Sequence, residues 1–197
     1  MALKVKSPRI WSPWVWTGGV GALLGENAPN TLTLLRIFAA PVLVVILLTA
    51  SRGGMGLAAF VFAVAALTDW LDGHLARRRG LVTNLGKVLD PIADKLLVTS
   101  ALIPLVALGR AQAWVVVVIV GREMAVTGLR AMAGCRGLMV SVSTLGKGKM
   151  VCEVAAILFL ILDLLPPLGT VLLWAAMVLA LVSAADYFVR LCRQLTL

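Results

Sequence analysis

The chain has 197 residues, 61% of them hydrophobic and 14% charged, and a formal net charge of +9. A soluble domain carries about 25% charged residues, so the balance excludes an ordinary water-soluble domain and points to one compact unit of membrane helices. The positive charge is dispersed between apolar windows, which excludes a continuous nucleic-acid-binding tail and reads as topology information.

Residues 1–28 form an expected interfacial segment. Lys4, Lys6 and Arg9 precede Trp11, Trp14 and Trp16, and Pro13, Gly18, Gly19 and Gly21 interrupt the apolar stretch. That interruption, with no small-residue cleavage site after it, argues against a signal peptide and for a segment lying in the membrane surface. From residue 29 to 197 the sequence predicts an all-α integral membrane domain, a bundle of six transmembrane helices. The first runs from about Thr31 to Ala50, opened by Pro29-Asn30. The next four run over about Gly56–Arg78, Asn84–Leu108, Gln112–Met132 and Lys147–Leu164. Pro166-Pro167 then breaks the chain before a sixth helix from about Leu168 to Cys192.

Thirteen basic residues fall on one side of these spans: Lys4, Lys6, Arg9, Arg77, Arg78, Arg79, Lys87, Arg130, Arg136, Lys147, Lys149, Arg190 and Arg193. Only Arg52 and Arg110 fall in the opposite loops. The positive-inside rule then places both termini in the cytoplasm. Cys135, Cys152 and Cys192 are too scattered for a disulfide framework or a zinc site and are expected to be reduced thiols.

Four aspartates stand out against this apolar background. Asp69 and Asp72 lie about 60° apart on one helix face, and Asp90 and Asp94 lie about 40° apart on the next helix. A short connection makes the two helices expected antiparallel neighbours, so the two pairs converge. Charge inside a bilayer costs roughly 2.5–3.5 kcal/mol per residue, and four clustered carboxylates need cationic compensation. Arg77–Arg79, Lys87 and Lys95 could supply it through simple ion pairs. The helical spacing and interleaved glycines favour instead a hard divalent cation in an all-oxygen site, Mg²⁺ or Mn²⁺.

The run Asp69-Trp-Leu-Asp72-Gly73-His-Leu-Ala76-Arg77, eight residues, Gly86, three residues, Asp90, three residues, Asp94 resembles the signature of the CDP-alcohol phosphatidyltransferase family at every position. The resemblance implies two divalent metals on Asp69, Asp72, Asp90 and Asp94 that clamp the diphosphate of a CDP-lipid. It makes Asp94 the residue placed to take a proton from the attacking hydroxyl. Gly73 and Gly86 would let the CDP moiety approach the backbone, Arg77 would offer its planar fork to a phosphate, and CMP would leave. The resemblance also implies a homodimer. His74, at an unspecified position of the motif, reads as a lining residue rather than a base.

The acceptor must be read from cations outside the motif. Arg122 and Arg130 are eight residues apart on the fourth helix, about 80° apart around its axis. Gly146-Lys147-Gly-Lys149 opens the fifth helix on the same side. Intramembrane cations are functional candidates by default, and two Arg with two Lys suit a dianionic phosphate. The competing reading pairs Arg122 with Glu123 or Glu153 and leaves the lysines to topology. The Gly-Lys-Gly-Lys run is not a P-loop, because the spacer, the following Ser or Thr and a preceding strand are all missing.

Pro29-Asn30-Thr-Leu-Thr33-Leu-Leu-Arg36, the Gly-Arg122-Glu123 to Leu-Arg130 helix and the Gly-Lys turn resemble the bacterial branch of that family. The resemblance implies CDP-diacylglycerol and glycerol 3-phosphate as substrates, phosphatidylglycerophosphate as product, and the bacterial cytoplasmic (inner) membrane as location, with the active site facing the cytoplasm. Asn30 joins the CDP-lipid site, and Thr33, Arg36, Arg122, Arg130, Lys147 and Lys149 the acceptor-phosphate site. Inositol phosphate, or phosphatidylglycerol giving cardiolipin, are the runner-up acceptors. A cation-coupled transporter is the rival from another class; it expects polar residues near the bilayer midplane and, commonly, an inverted repeat. Here the acids sit at one membrane face and no repeat is visible.

Overall fold

The computed structural model describes the chain at 28–49, 53–79, 84–135 and 144–195, with side chains at 33–49, 53–68, 91–134, 146 and 148–194. Among the described residues the protein is all-helical, with six helices: α1 (Ala28–Thr49), α2 (Gly54–Arg79), α3 (Asn84–Ala107), α4 (Ala113–Cys135), α5 (Thr144–Leu162) and α6 (Pro166–Leu195). The segment expected to lie in the membrane surface falls outside the described residues but for Ala28, the first residue of α1.

Local chemistry sets the helix ends. Pro29 sits in the first turn of α1, where a missing N–H costs nothing. At the other end the Thr49 hydroxyl donates to the Val45 carbonyl at 2.6 Å. α3 closes with a Schellman turn: Gly109, at φ 71°, donates to Val106 O, and Arg110 N donates to Leu105 O. α6 begins at Pro166 itself. The proline pair read as a chain break therefore starts the helix, because a ring fixed near φ −65° is preorganised for a first turn. The break lies one turn earlier, at Asp163, which takes φ 54°, a conformation aspartate tolerates better than most residues.

Arg110 ties these two turns together. Its Nη1 donates to the carbonyls of Leu160 (3.0 Å) and Ile161 (2.7 Å), and Nη2 lies 3.5 Å from Asp163 Oδ2. It thereby satisfies the orphan carbonyls at the C-terminus of α5. Gly169 lets α6 approach α5, since a Cβ there would come within 2.9 Å of the Leu160 side chain. Trp114 and Trp174 pack edge to face at the same end, centroids 5.0 Å apart.

α5 packs broadly on α6 and α1 on α3. α6 also meets α4, and α2 meets both α1 and α5. The expected contact between α2 and α3 is present but narrower than that between α3 and α1. The main core is aliphatic, built on Leu43, Leu47, Phe62, Leu102, Leu105, Ile119, Ile157 and Leu173. The outer surface is apolar as well: Phe38, Phe60, Val117, Val151 and Val171 are each more than 60% exposed. Arg36, Glu123, Lys149 and Glu153 are buried instead. This reverses the pattern of a soluble domain, where charged side chains are almost never fully buried unless paired. Among the described residues, Pro166–Gln194 is long and apolar enough to cross a membrane; Thr33–Thr49 and Gly54–Thr68 are shorter apolar helices.

Candidate functional site

The buried charge converges on a cavity of about 200 Å³ walled by all six helices. α1 contributes Arg36, α2 Phe62 and Ala66, α3 Asp94 and Lys95, and α4 Arg122, Glu123 and Arg130. α5 adds Gly146, Lys149 and Glu153, and α6 adds Ser183, Asp186, Tyr187 and Arg190. Helical periodicity explains the convergence: Lys149 and Glu153, Ser183 and Tyr187, and Asp186 and Arg190 each lie one turn apart on a common face.

An ion-pair chain runs across three of these helices, α3, α4 and α5, with the Glu123 carboxylate at its centre. Its Oε1 accepts from Arg122 Nη1 and from Lys149 Nζ, each at 2.5 Å, and its Oε2 lies 2.9 Å from Lys95 Nζ. Lys95 continues to Asp94 Oδ2 at 3.0 Å, and Lys149 continues to Glu153 Oε2 at 2.8 Å. The rest of the Arg122 fork is also engaged: Nε donates to Ala180 O at 2.8 Å and Nη2 to Ser183 Oγ at 2.6 Å. Three carboxylates thus face three cations. Mutual compensation of this kind makes such burial tolerable.

At the other end of the wall Arg190 pairs with Asp186 at 2.9 Å, and the Arg130 guanidinium lies 5.7 Å from the Tyr187 ring centroid. In the wall, Tyr187 Oη and Glu153 Oε1 are buried without a hydrogen-bond partner among the described residues.

Of the residues expected from sequence, Asp94, Arg36, Arg122, Arg130 and Lys149 all line this cavity. Thr33 is fully buried and does not. Asn30 on α1, Asp69, Asp72, Gly73 and Arg77 on α2, Gly86 and Asp90 on α3, and Lys147 on α5 have side chains outside the described residues. The pairing of Arg122 with Glu123, the competing reading of the sequence, is present in the geometry. It coexists with a place in the cavity wall. Lys95, Glu153, Ser183, Asp186, Tyr187 and Arg190 were not legible as site residues. The available signal lay in α6, where Ser183, Tyr187 and Arg190 recur at helical spacing within an otherwise apolar helix.

A divalent cation was tested against the donors present. Asp94 is a hard oxygen donor, its side chain 27% exposed at the cavity. Asp90 lies one turn before it on α3, and Asp69 and Asp72 lie on α2, which touches α3. Among the described side chains no group of three acidic, His or Cys donors is assembled, Asp94 being the one member of the quartet described. The donor chemistry and helical register fit a divalent ion bound by oxygen.

Comparison with known proteins accords with this geometry. A family model, CDP-alcohol phosphatidyltransferase, matches residues 26–182. The chain is similar to the CDP-diacylglycerol–glycerol-3-phosphate 3-phosphatidyltransferase of Bacillus subtilis, with 42% identity over 180 residues covering 82% of this chain and 93% of the relative. It is also similar to the protein of the same name from Rickettsia bellii, with 36% identity over 178 residues covering 87% and 98%.

Proposed function

The chain belongs to the CDP-alcohol phosphatidyltransferase family, and on that premise we propose that it transfers the phosphatidyl group of CDP-diacylglycerol to glycerol 3-phosphate, giving phosphatidylglycerophosphate and CMP. The observation that carries this reading is the meeting of Asp94 with Arg36, Arg122, Arg130 and Lys149 around one cavity. A carboxylate able to take a proton stands beside cations able to hold an anionic acceptor.

In this mechanism glycerol 3-phosphate enters the cavity with its phosphate toward Arg122, Arg130, Lys147 and Lys149, with Arg36 completing that wall from α1; Thr33, buried one turn away, packs behind it. Arg122 and Lys149 arrive already engaged by Glu123 and Glu153, so the incoming phosphate shares them with those carboxylates. The sharing holds the cations in place before substrate binds and lowers the ordering cost of binding. Asn30, Gly73, Arg77 and Gly86 hold the CDP moiety. Asp94 accepts the proton of the terminal hydroxyl. That oxygen forms a bond to the lipid-linked phosphorus as the bond to the CMP oxygen breaks, and CMP leaves. When bound, two divalent cations, Mg²⁺ or Mn²⁺, held by Asp69, Asp72, Asp90 and Asp94 supply Lewis-acid stabilisation of the charge on the diphosphate.

We infer the setting as part of the same reading. The six helices cross a bacterial cytoplasmic membrane, with residues 29–197 as the catalytic domain and 1–28 on the membrane surface. Both termini and the cavity mouth face the cytoplasm, and the protein works as a homodimer. The apolar outer surface and the thirteen-to-two asymmetry of basic residues support this orientation.

The test is CMP release by the purified protein in detergent, with CDP-diacylglycerol and Mg²⁺, acceptors supplied singly. Metal-dependent release with glycerol 3-phosphate and not with inositol phosphate, inositol, serine or phosphatidylglycerol is expected. Release with one of the others instead would discard the acceptor assignment, and release with none would reopen the transporter reading.

A further inference from the structure

Tyr187 is the single tyrosine of the chain, and the ion-pair chain does not use it. It is 5% exposed, lines the cavity, and packs with Val126, Ala133 and Leu191. Its hydroxyl oxygen is nevertheless buried with no hydrogen-bond partner among the described residues. Leaving a hydroxyl so placed is costly, and buried polar groups in proteins are overwhelmingly satisfied. Phenylalanine would fill the same apolar surroundings without that cost. The hydroxyl is therefore explained by a partner that arrives from the cavity.

The register of α4 against α6 indicates which partner. Arg122 meets Ser183, and eight residues further along α4 Arg130 lies against the face of Tyr187, four residues beyond Ser183. Tyr187 thus stands beside the arginines assigned to the acceptor phosphate, with its ring occupied by Arg130 and its hydroxyl left over. A phosphate oxygen only accepts, and in the proposed mechanism the arginines are its donors. The terminal hydroxyl of the acceptor is assigned to Asp94. What remains on the acceptor is the secondary hydroxyl, at once donor and acceptor, as a phenol is.

We propose that the Tyr187 hydroxyl recognises the secondary hydroxyl of glycerol 3-phosphate and so discriminates this acceptor from phosphorylated alcohols that lack it. The proposal rests on glycerol 3-phosphate being the acceptor. A site built to hydrogen-bond a substrate hydroxyl rejects an analogue without one, because its own polar group is then left unpaired.

The experiment compares wild type with Tyr187→Phe, using glycerol 3-phosphate and 3-hydroxypropyl phosphate, which lacks the secondary hydroxyl. With glycerol 3-phosphate, kcat/KM is expected to fall about 3- to 10-fold, the range of a single neutral hydrogen bond. With 3-hydroxypropyl phosphate, wild type and variant should coincide, and the KM for CDP-diacylglycerol should not move. Thermal stability should stay level or rise, since the variant deletes an unpaired buried hydroxyl and keeps the ring. An unchanged kcat/KM with glycerol 3-phosphate overturns the proposal, and so does an equal loss on both acceptors, which would place the hydroxyl elsewhere. A wild type inactive with glycerol 3-phosphate overturns the acceptor assignment and this inference with it. An active wild type with an insensitive variant overturns Tyr187 alone.

Discussion

Glu123→Gln removes one negative charge from the centre of the ion-pair chain while keeping its shape. Glu123 is 11% exposed and touches Lys95, Arg122 and Lys149, so the variant leaves three cations facing Asp94 and Glu153 alone. Breaking a buried ion pair from one side costs about 3–5 kcal/mol. Lys95 and Asp94 retain 20% and 27% exposure, and water there softens the penalty toward the lower end, about 3 kcal/mol. For a chain of this size 1 kcal/mol moves Tm by about 2–4 °C, so a fall of about 6–12 °C is expected. Thermal unfolding in detergent, followed by tryptophan fluorescence, measures it. The double variant Glu123→Gln, Lys149→Met restores the balance of charge and should lose less than the sum of its parts, by about 0.5 kcal/mol or more. A Glu123→Gln protein that melts within about 1 °C of wild type would refute the view that this carboxylate joins α3, α4 and α5.

Three further expectations concern separate parts of the molecule. Asp94→Asn should lower kcat by about 10²–10⁴, the span of general acid–base catalysis, with helical circular dichroism and CDP-lipid binding retained; normal turnover would remove Asp94 as the base. Arg122→Ala and Arg130→Ala should each raise the KM for glycerol 3-phosphate about 10-fold or more, the worth of a hydrogen bond to a charged group, and raise that for CDP-diacylglycerol much less. Equal effects on both substrates in steady-state kinetics would dismiss the assignment. Arg110→Ala should cost about 1–3 kcal/mol in thermal unfolding by orphaning the carbonyls of α5. It should leave both KM values alone, because Arg110 lies in the turn beyond α3, whose end is about 20 Å along the helix from Asp94.

The sequence carried the fold well because its cues are local. Apolar windows and Pro29 place the helix ends within three residues of where they lie. The misread at Pro166-Pro167 came from treating proline as a terminator, when in a first turn it is an initiator. The aspartate register is a local cue too, since i, i+3 and i, i+4 spacing fixes a face without tertiary knowledge; of the four, Asp94 is the one whose side chain is described, and it lines the cavity. The charge network was not. Asp94 and Lys95 are adjacent, as are Arg122 and Glu123, and neighbouring residues point about 100° apart on a helix. A third group from another helix draws them together, and Glu123 does so for Lys95. Tyr187 was illegible for a different reason: a lone tyrosine in an apolar helix carries no pattern, and only its missing partner marks it.

The pairing also changes what the cations can do. Read from sequence, Arg122 and Lys149 look like free positive charge awaiting a phosphate; in the structure both are matched by carboxylates. Glu123 holds Arg122 and Lys149 together, and Glu153 holds Lys149 from the next turn of α5. An incoming phosphate therefore meets cations that are already positioned and shares them with those carboxylates, and the loss of one arginine leaves the remaining cations in place. Individual arginine variants should accordingly weaken glycerol 3-phosphate binding by degrees rather than abolish it.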